Sequence, residues 1–405
     1  MEWVRKDEVK PQPPATRRDS PDPYRVLFPI GIAAALAGLV PWLLFTLGWT
    51  STWPGPTHAA LLTQGFELGF ITGFLLTALP AFTHGPRCTR LELVLVTLGV
   101  GSFVVLRTLD VPGAAIAYLV TLLALAIIVG RRVRPGAAAP PEEFLLVGTG
   151  LAMGFAGALV LVLAEADVLP STAARLGVRC ISLGLLPALV LGLGGLLVPT
   201  FAGVKDPLTI FGIARPGERP RRRVFVVAVA LLLVVAVNLE FAGLTSLAGG
   251  LRAVAVLAST QLAWKLWRRP RTMDRLSWAL WAAGWCLVVG FTAAALVPEH
   301  RVEAWHIAFI GGYALLTLAI GSRVVISHGG YARVEERSLL SPVAIGALLL
   351  AALVRSLAPV FDPGHATAQH ALAAALGTLA FASWLLAAWP RVRRTKRRML
   401  MPTKG

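Results

Sequence analysis

The side chains of this 405-residue chain that could do chemistry are few, and they interrupt long apolar stretches. Histidine is the commonest metal ligand and an axial ligand to heme iron. His58, His300, His306, His365 and His370 fall at or near one set of ends of the apolar segments, and His84 and His328 at the other. His58 and His306 each occupy a first-turn position, so two imidazoles at one level point to a cofactor near one face of a bilayer. Histidines at helix ends are also ordinary interfacial residues, and for His300, His365 and His370 that is the reading taken.

Arginines form the second signal. Arg107, Arg179, Arg252 and Arg355 lie inside apolar segments or at their ends. A charge within a span costs several kcal/mol unless it reaches the interface, pairs, or lines a wet cavity. Arg107 and Arg355 are close enough to helix ends to reach the interface. Arg179 and Arg252 are deeper, with Glu67, Glu165 and Glu240 as possible partners. Glu67 either pairs with one of these arginines or faces a polar cavity. A cavity rimmed by Arg and His would suit an anion such as the propionates of a heme, because guanidinium binds carboxylate through two parallel hydrogen bonds. Cys88, Cys180 and Cys286 are scattered and read as small buried hydrophobes. No GxSxG, P-loop, HExxH or Rossmann fingerprint is present, so the sequence points to no catalytic residues.

The elements that must position these groups follow from composition. Hydrophobic residues make up 56%, charged residues 15%, and mean hydropathy is +0.71, far too apolar for a soluble fold of this size. The apolar residues come in blocks of about twenty, the length that crosses a hydrocarbon core as a helix. Lipid offers the backbone no hydrogen-bond partners, so spans are helices or closed barrels. The alternating ten-residue segments of a barrel are missing. An all-α, polytopic integral membrane protein of about twelve transmembrane helices is expected. The spans are placed at 26–48, 57–82, 91–109, 112–130, 143–166, 174–201, 223–240, 244–264, 276–297, 304–327, 340–358 and 367–389. The weakest boundaries are those near Asp110 and Gly243. Residues 1–25 and 390–405 read as basic cytoplasmic tails flanking a transmembrane domain over 26–389, the first Pro-rich and disordered rather than a cleavable signal.

Charge gives direction. Of the 38 Lys and Arg, 31 fall in the two tails and in every second connection, while the remaining connections hold Arg175 and Arg301. The positive-inside rule then puts both termini in the cytoplasm. The net charge of +17 thus serves topology, and no nucleic-acid partner is expected; the partner is the lipid bilayer. GFLLTALPAF at 73–82 and GGLLVPTF at 194–201 look alike at the ends of two spans, which close helix packing explains as well as duplication does.

Several segments resemble the NnrS family of bacterial membrane proteins. AWHIAFIGGYALLTLAIGSRVVISHGG at 304–330 is similar to that family's helix opening on Leu-His-Ala, running through Thr-Leu-Ala to Arg and closing on a Gly-His-Thr-Gly turn. HAALLTQGFELGFITGFLLTALPAFT at 58–83 and GLGGLLVPTF at 192–201 resemble two further family stretches, and Arg107 falls where a Gly-Arg commonly ends the third helix. The resemblance implies twelve helices in a bacterial inner (cytoplasmic) membrane, association with heme and copper, and a role in nitric oxide tolerance. His58, His306 and His328 match family histidines and are the implied metal ligands. Arg323 matches the arginine before the closing turn. With His58 and His306, Arg107, Arg179 and Arg252 complete the expected cofactor-binding set, and the ligand is a small gaseous or anionic molecule. Ala60 and Trp281 stand where the family has histidines, Leu61 and Leu62 replace its Glu-Met pair, and Leu196 or Leu197 replaces an arginine, which weakens the case for copper more than that for heme. A second expectation is a cofactor-free transporter or assembly factor with a polar cavity for a small anion. Reporter fusions are expected to place the carboxyl-terminal tail inside, and alkaline phosphatase fused near Asp110 or Gly243 to be active in the periplasm.

Overall fold

The computed structural model describes residues 21–83, 85–133, 140–204, 218–272, 274–332 and 336–393. His84, most of both expected tails, and the basic residues of 205–217 lie outside the described residues. Within the described residues every long element is a helix and there are no strands. The chain is an all-α multi-pass membrane protein.

Eleven helices are long and apolar enough to cross a membrane. They are α1 (Tyr24–Thr46), α2 (Gly55–Thr83), α3 (Arg90–Thr108), α4 (Ala114–Arg132), α5 (Phe144–Glu165), α6 (Ala173–Phe201), α7 (Arg219–Phe241), α9 (Arg275–Leu296), α10 (Pro298–Gly329), α11 (Pro342–Phe361) and α12 (Pro363–Arg393). The segment expected to span over 244–264 is also helical, as Thr245–Ala258 continued by a π-helical turn, Ser259–Ala263, and is labelled α8. It is more polar than the others because it carries Arg252, Thr260 and Gln261. Both weak boundaries are real turns. Asp110 has φ +52° and Gly113 has φ +97° between α3 and α4, and Gly243 has φ +79° between α7 and α8. Local signals set the helix starts too. Thr89 and Glu92 form a reciprocal capping box at α3, and Asp274 caps α9.

Neighbours in sequence pack as antiparallel neighbours, and α1 against α12 closes the bundle. Between 78% and 89% of the most apolar stretch of α2, α6 and α10 is buried, against 17–50% for the other measured spans. These three are therefore inner helices, surrounded by the rest. At 29, 29 and 32 residues they are also longer than a hydrocarbon core of about 30 Å requires at 1.5 Å per residue. All three run in the same direction. The end at which they begin is called the near end, and the opposite one the far end. Each carries a π-helical turn in its first half, at Leu61–Phe66, Ile181–Leu185 and Ile307–Ala314. The turns of α2 and α6 touch. The similar motifs at 73–82 and 194–201 occupy the far ends of α2 and α6.

Small residues let these helices approach closely. A Cβ on Gly157 of α5 would lie 2.7 Å from the Gly177 carbonyl oxygen of α6, and one on Gly177 would lie 2.8 Å from the Gly157 carbonyl oxygen. Gly194, in the Gly-rich stretch of α6, lies against the Trp264 ring. Gly157→Val therefore forces α5 from α6; a loss of about 1–3 kcal/mol, the usual cost of overpacking, is expected as a lower unfolding temperature in detergent.

Candidate functional site

The near-end halves of the inner helices enclose a cavity of about 780 Å³. Its lining is mostly apolar, with a few polar side chains: His58, Thr63, Gln64 and Glu67 from α2, Arg107 from α3, Glu165 from α5, Ser171 just before α6, Arg175, Arg179 and Ser182 from α6, and His306 and Tyr313 from α10. Apolar walls with sparse polar groups are the usual make-up of a cofactor or small-molecule site. The π turns build it. His58 lies three residues before the turn in α2, Arg179 two before that in α6, and His306 immediately before that in α10. Such turns recur at functional sites because they re-aim side chains and free backbone groups.

The two histidines are held alike. His58 Nδ1 lies 3.1 Å from the Gly38 carbonyl oxygen of α1, and His306 Nδ1 lies 2.7 Å from the Val302 carbonyl oxygen one turn back. A carbonyl only accepts, so Nδ1 carries the proton in each. Nε2 is left as a lone pair with no hydrogen bond among the described residues. That is the arrangement of a metal-ligating imidazole, whose backbone hydrogen bond fixes the tautomer and ring orientation.

His370 of α12 belongs to the same neighbourhood. The Trp42 ring meets His370 edge-on at 5.0 Å and His58 at 6.0 Å. Both ring nitrogens of His370 are buried without a hydrogen-bond partner. Arg355 of α11 lies within electrostatic range of all three imidazoles, with Glu303 at 3.9 Å as its nearest carboxylate. Sequence reading set His370 aside as interfacial; its place beside His58 depends on the closure of α12 against α1, which no local pattern announces.

The arginines divide. Arg107 lines the cavity, with Asp110 at 3.5 Å and its Nε buried and unpartnered. Arg179 also lines the cavity while donating at 2.7 Å to Glu240 Oε1. Arg252 donates at 2.7 Å to the other oxygen, Glu240 Oε2, and is 1% exposed. It is not among the cavity-lining residues; its guanidinium is held in an Arg179–Glu240–Arg252 triad joining α6, α7 and α8. Of the three carboxylates offered as partners for the deep arginines, Glu240 takes both. Glu165 accepts from the Gly113 amide at 2.7 Å, and Glu67 takes the alternative expected of it and faces the cavity.

His328 is placed far from His58 and His306. It lies near the far end of α10, 22 residues from His306 and so about 33 Å along the axis, with its ring against Tyr24 at 6.3 Å and its Nδ1 3.2 Å from Ser327 Oγ. Arg323, near the same end, pairs with Glu336. Among the described residues no group of three or more His, Cys, Asp or Glu stands close enough to hold a metal ion. The cysteines are unpaired, Cys88 and Cys180 buried and Cys286 half-buried; burial pushes the Cys88 thiol up to about 11.

The family profile described as "NnrS protein" matches residues 21–396, nearly the whole chain. The chain belongs to the NnrS family. No curated protein matches it. The NnrS segments read at 58–83 and 304–330 are thus inner helices α2 and α10, which line the cavity, and 192–201 is the far end of inner helix α6, beyond the cavity. The triad gives a test independent of any ligand. Removing one member of a buried ion pair costs about 3–5 kcal/mol because the remaining charge is stranded. Glu240→Gln is expected to destabilise the protein by that order in thermal unfolding, and the Glu240→Leu, Arg252→Leu double variant to recover part of the loss.

Proposed function

We propose that this NnrS family protein binds heme in the near-end cavity and acts in the bacterial response to nitric oxide or in protecting metal centres. The observation carrying the reading is that His58 and His306, on separate inner helices, line one apolar cavity with Nδ1 tethered to backbone and Nε2 free. The donor set fits the group: imidazole Nε2 for the iron, and Arg107 and Arg179 in the wall for carboxylates. The unpartnered buried Nε of Arg107 is one hydrogen-bond donor awaiting an acceptor. Arg252, 1% exposed and bound to Glu240, would act through Arg179 by holding the shared carboxylate. Heme, when bound, supplies an iron centre able to take a diatomic gas, with properties set by axial ligand, burial and hydrogen bonding.

The chain's own contribution is then definable. Gly38 and Val302 orient the two rings, the π turns set their depth, and the apolar wall lowers the local dielectric. His328, far along α10, has no part in this site. The described residues form no copper site of three or more ligands, and no step is assigned to copper. The lysine and arginine pattern favours an inner-membrane location with both termini cytoplasmic and the cavity toward the periplasm.

The full-length protein purified with heme available is expected to show a Soret band. His306→Ala or His58→Ala is expected to weaken or shift it, and nitric oxide to change it. His328→Ala is expected to leave it unaltered. A protein that folds and shows no Soret band after heme loading would overturn the cofactor reading and favour the cofactor-free anion cavity.

A further inference from the structure

Four glutamates are buried among the described residues: Glu67, Glu143, Glu240 and Glu336. Three are bound to arginine, Glu143 by Arg222, Glu240 by Arg179 and Arg252, and Glu336 by Arg323. Glu67 is different. It is 6% exposed, and its hydrogen-bond partner is the Thr317 hydroxyl, which donates to Oε2 at 3.1 Å. It also stands twelve residues into the 29-residue helix α2, immediately after the π turn, so it lies about 18 Å from the near end by helix rise. An ionised carboxylate at that depth with no cation costs several kcal/mol. Among the described residues guanidinium meets that cost at the other three glutamates, and none does so at Glu67.

The position is also a junction. A second, smaller void, almost wholly apolar, runs between α1, α2, α6 and α10, walled by residues such as Phe28, Phe74, Leu193 and Ile320. Glu67 and Leu186 line both this void and the large cavity. The groups facing Glu67 are few. From α10 come Thr317 and Tyr313, whose buried hydroxyl has no hydrogen-bond partner among the described residues and lies within electrostatic range of Glu67 and of Arg252. From α6 comes Leu186, with Arg179 and Ser182 farther along the same cavity wall; α1 presents Phe28, and α2 adds Phe70.

We propose that Glu67 is a proton-exchanging site at the junction of the two voids, taking a proton from water in the large cavity and returning it there. Uptake forms one O–H bond on the carboxylate and removes its negative charge; release restores the carboxylate and returns the proton to water. The proton does here what arginine does for the other three buried glutamates. Because it is removable, the charge at the cavity floor can follow the charge of whatever the cavity holds. The inference is independent of the heme reading.

The test is infrared difference spectroscopy on the full chain in lipid nanodiscs without added heme. Wild type is expected to show a protonated-carboxyl C=O band that shifts in deuterated water and titrates with pH. Glu67→Gln, which keeps shape and removes the acid, is expected to lose that band. Thr317→Val, which keeps the acid and removes its hydrogen-bond donor, is expected to displace it. A band lost in Glu67→Gln but unaffected by deuterated water or pH would overturn the proposal, as would a spectrum identical in wild type and Glu67→Gln. Should Glu67→Gln fail to fold, Thr317→Val decides the matter: a displaced, exchanging band supports the site, and an unmoved spectrum overturns it.

Discussion

Charge placed in hydrocarbon must be neutralised close by or reach water, and much of this structure can be read as the ways in which that is done. Arg132, 1% exposed at its side chain, binds Glu92 at 2.6 Å. Arg323 binds Glu336, Arg222 binds Glu143, and one carboxylate, Glu240, serves both Arg179 and Arg252. Each pair joins different elements, so the same contacts that remove the electrostatic penalty also fix which helix stands beside which. The Glu240 triad does most in this respect, tying inner helix α6 to α7 and α8. Buried ion pairs of this kind specify arrangement more than they stabilise it, since well-packed apolar residues can match their net contribution. Their consequence for function is that Arg179 presents to the cavity a guanidinium already held at one edge.

The cavity depends on the same economy of polar groups. Three inner helices are shielded from lipid by the others, so irregular backbone is tolerated in them, and the π turn of α8 likewise starts on the buried Ser259 and Thr260. Their π turns fall in that shielded region and at similar depth, and the near-end side chains of all three therefore converge. Glycine supports the convergence from behind: Gly38 gives α1 the closeness that lets its carbonyl reach His58, a Cβ there lying 2.5 Å from Leu62 Cδ2. Packing, backbone chemistry and ligand geometry are thus one arrangement.

Much of the fold was legible in the sequence because bilayer thickness imposes a length and a hydropathy on every span. The twelve expected segments coincide with helices to within a few residues at most boundaries; α7, α10 and α12 run longer, where polar ends project beyond the apolar stretch. The polar α8 falls below the hydropathy that marks the rest, yet its flanking turn at Gly243 was readable. The pairing of His58 with His306 was legible as a shared level, since both open helices that start at the same end. Two things were not. Levels carry no azimuth, so the sequence could not say that Arg252 points to Glu240 while Arg107 points to the cavity. Nor could it bring His370 to His58, because that contact joins the first and last helices through Trp42.

The departures from the family pattern gain meaning from where they fall. Trp281 stands six residues into α9, toward the far end, with its indole N–H donating to the Leu266 carbonyl at 2.9 Å and its ring between Trp278 and Trp285. Leu196 and Leu197 are buried in the far half of α6, and His328 and Arg323 are near the far end of α10. Residues that could have joined them in a far-end site are thus replaced by packing: an indole bound to backbone and two leucines in the core. Near the other end Ala60, Leu61 and Leu62 depart from the pattern beside His58, yet the ligand-competent Nε2 atoms, Arg107, Arg179 and the cavity are all present. Departures thus fall at both ends of the bundle. At the far end they are filled by packing, whereas at the near end the histidines and arginines that remain still face one cavity, the place where a bound group would meet side chains able to hold it.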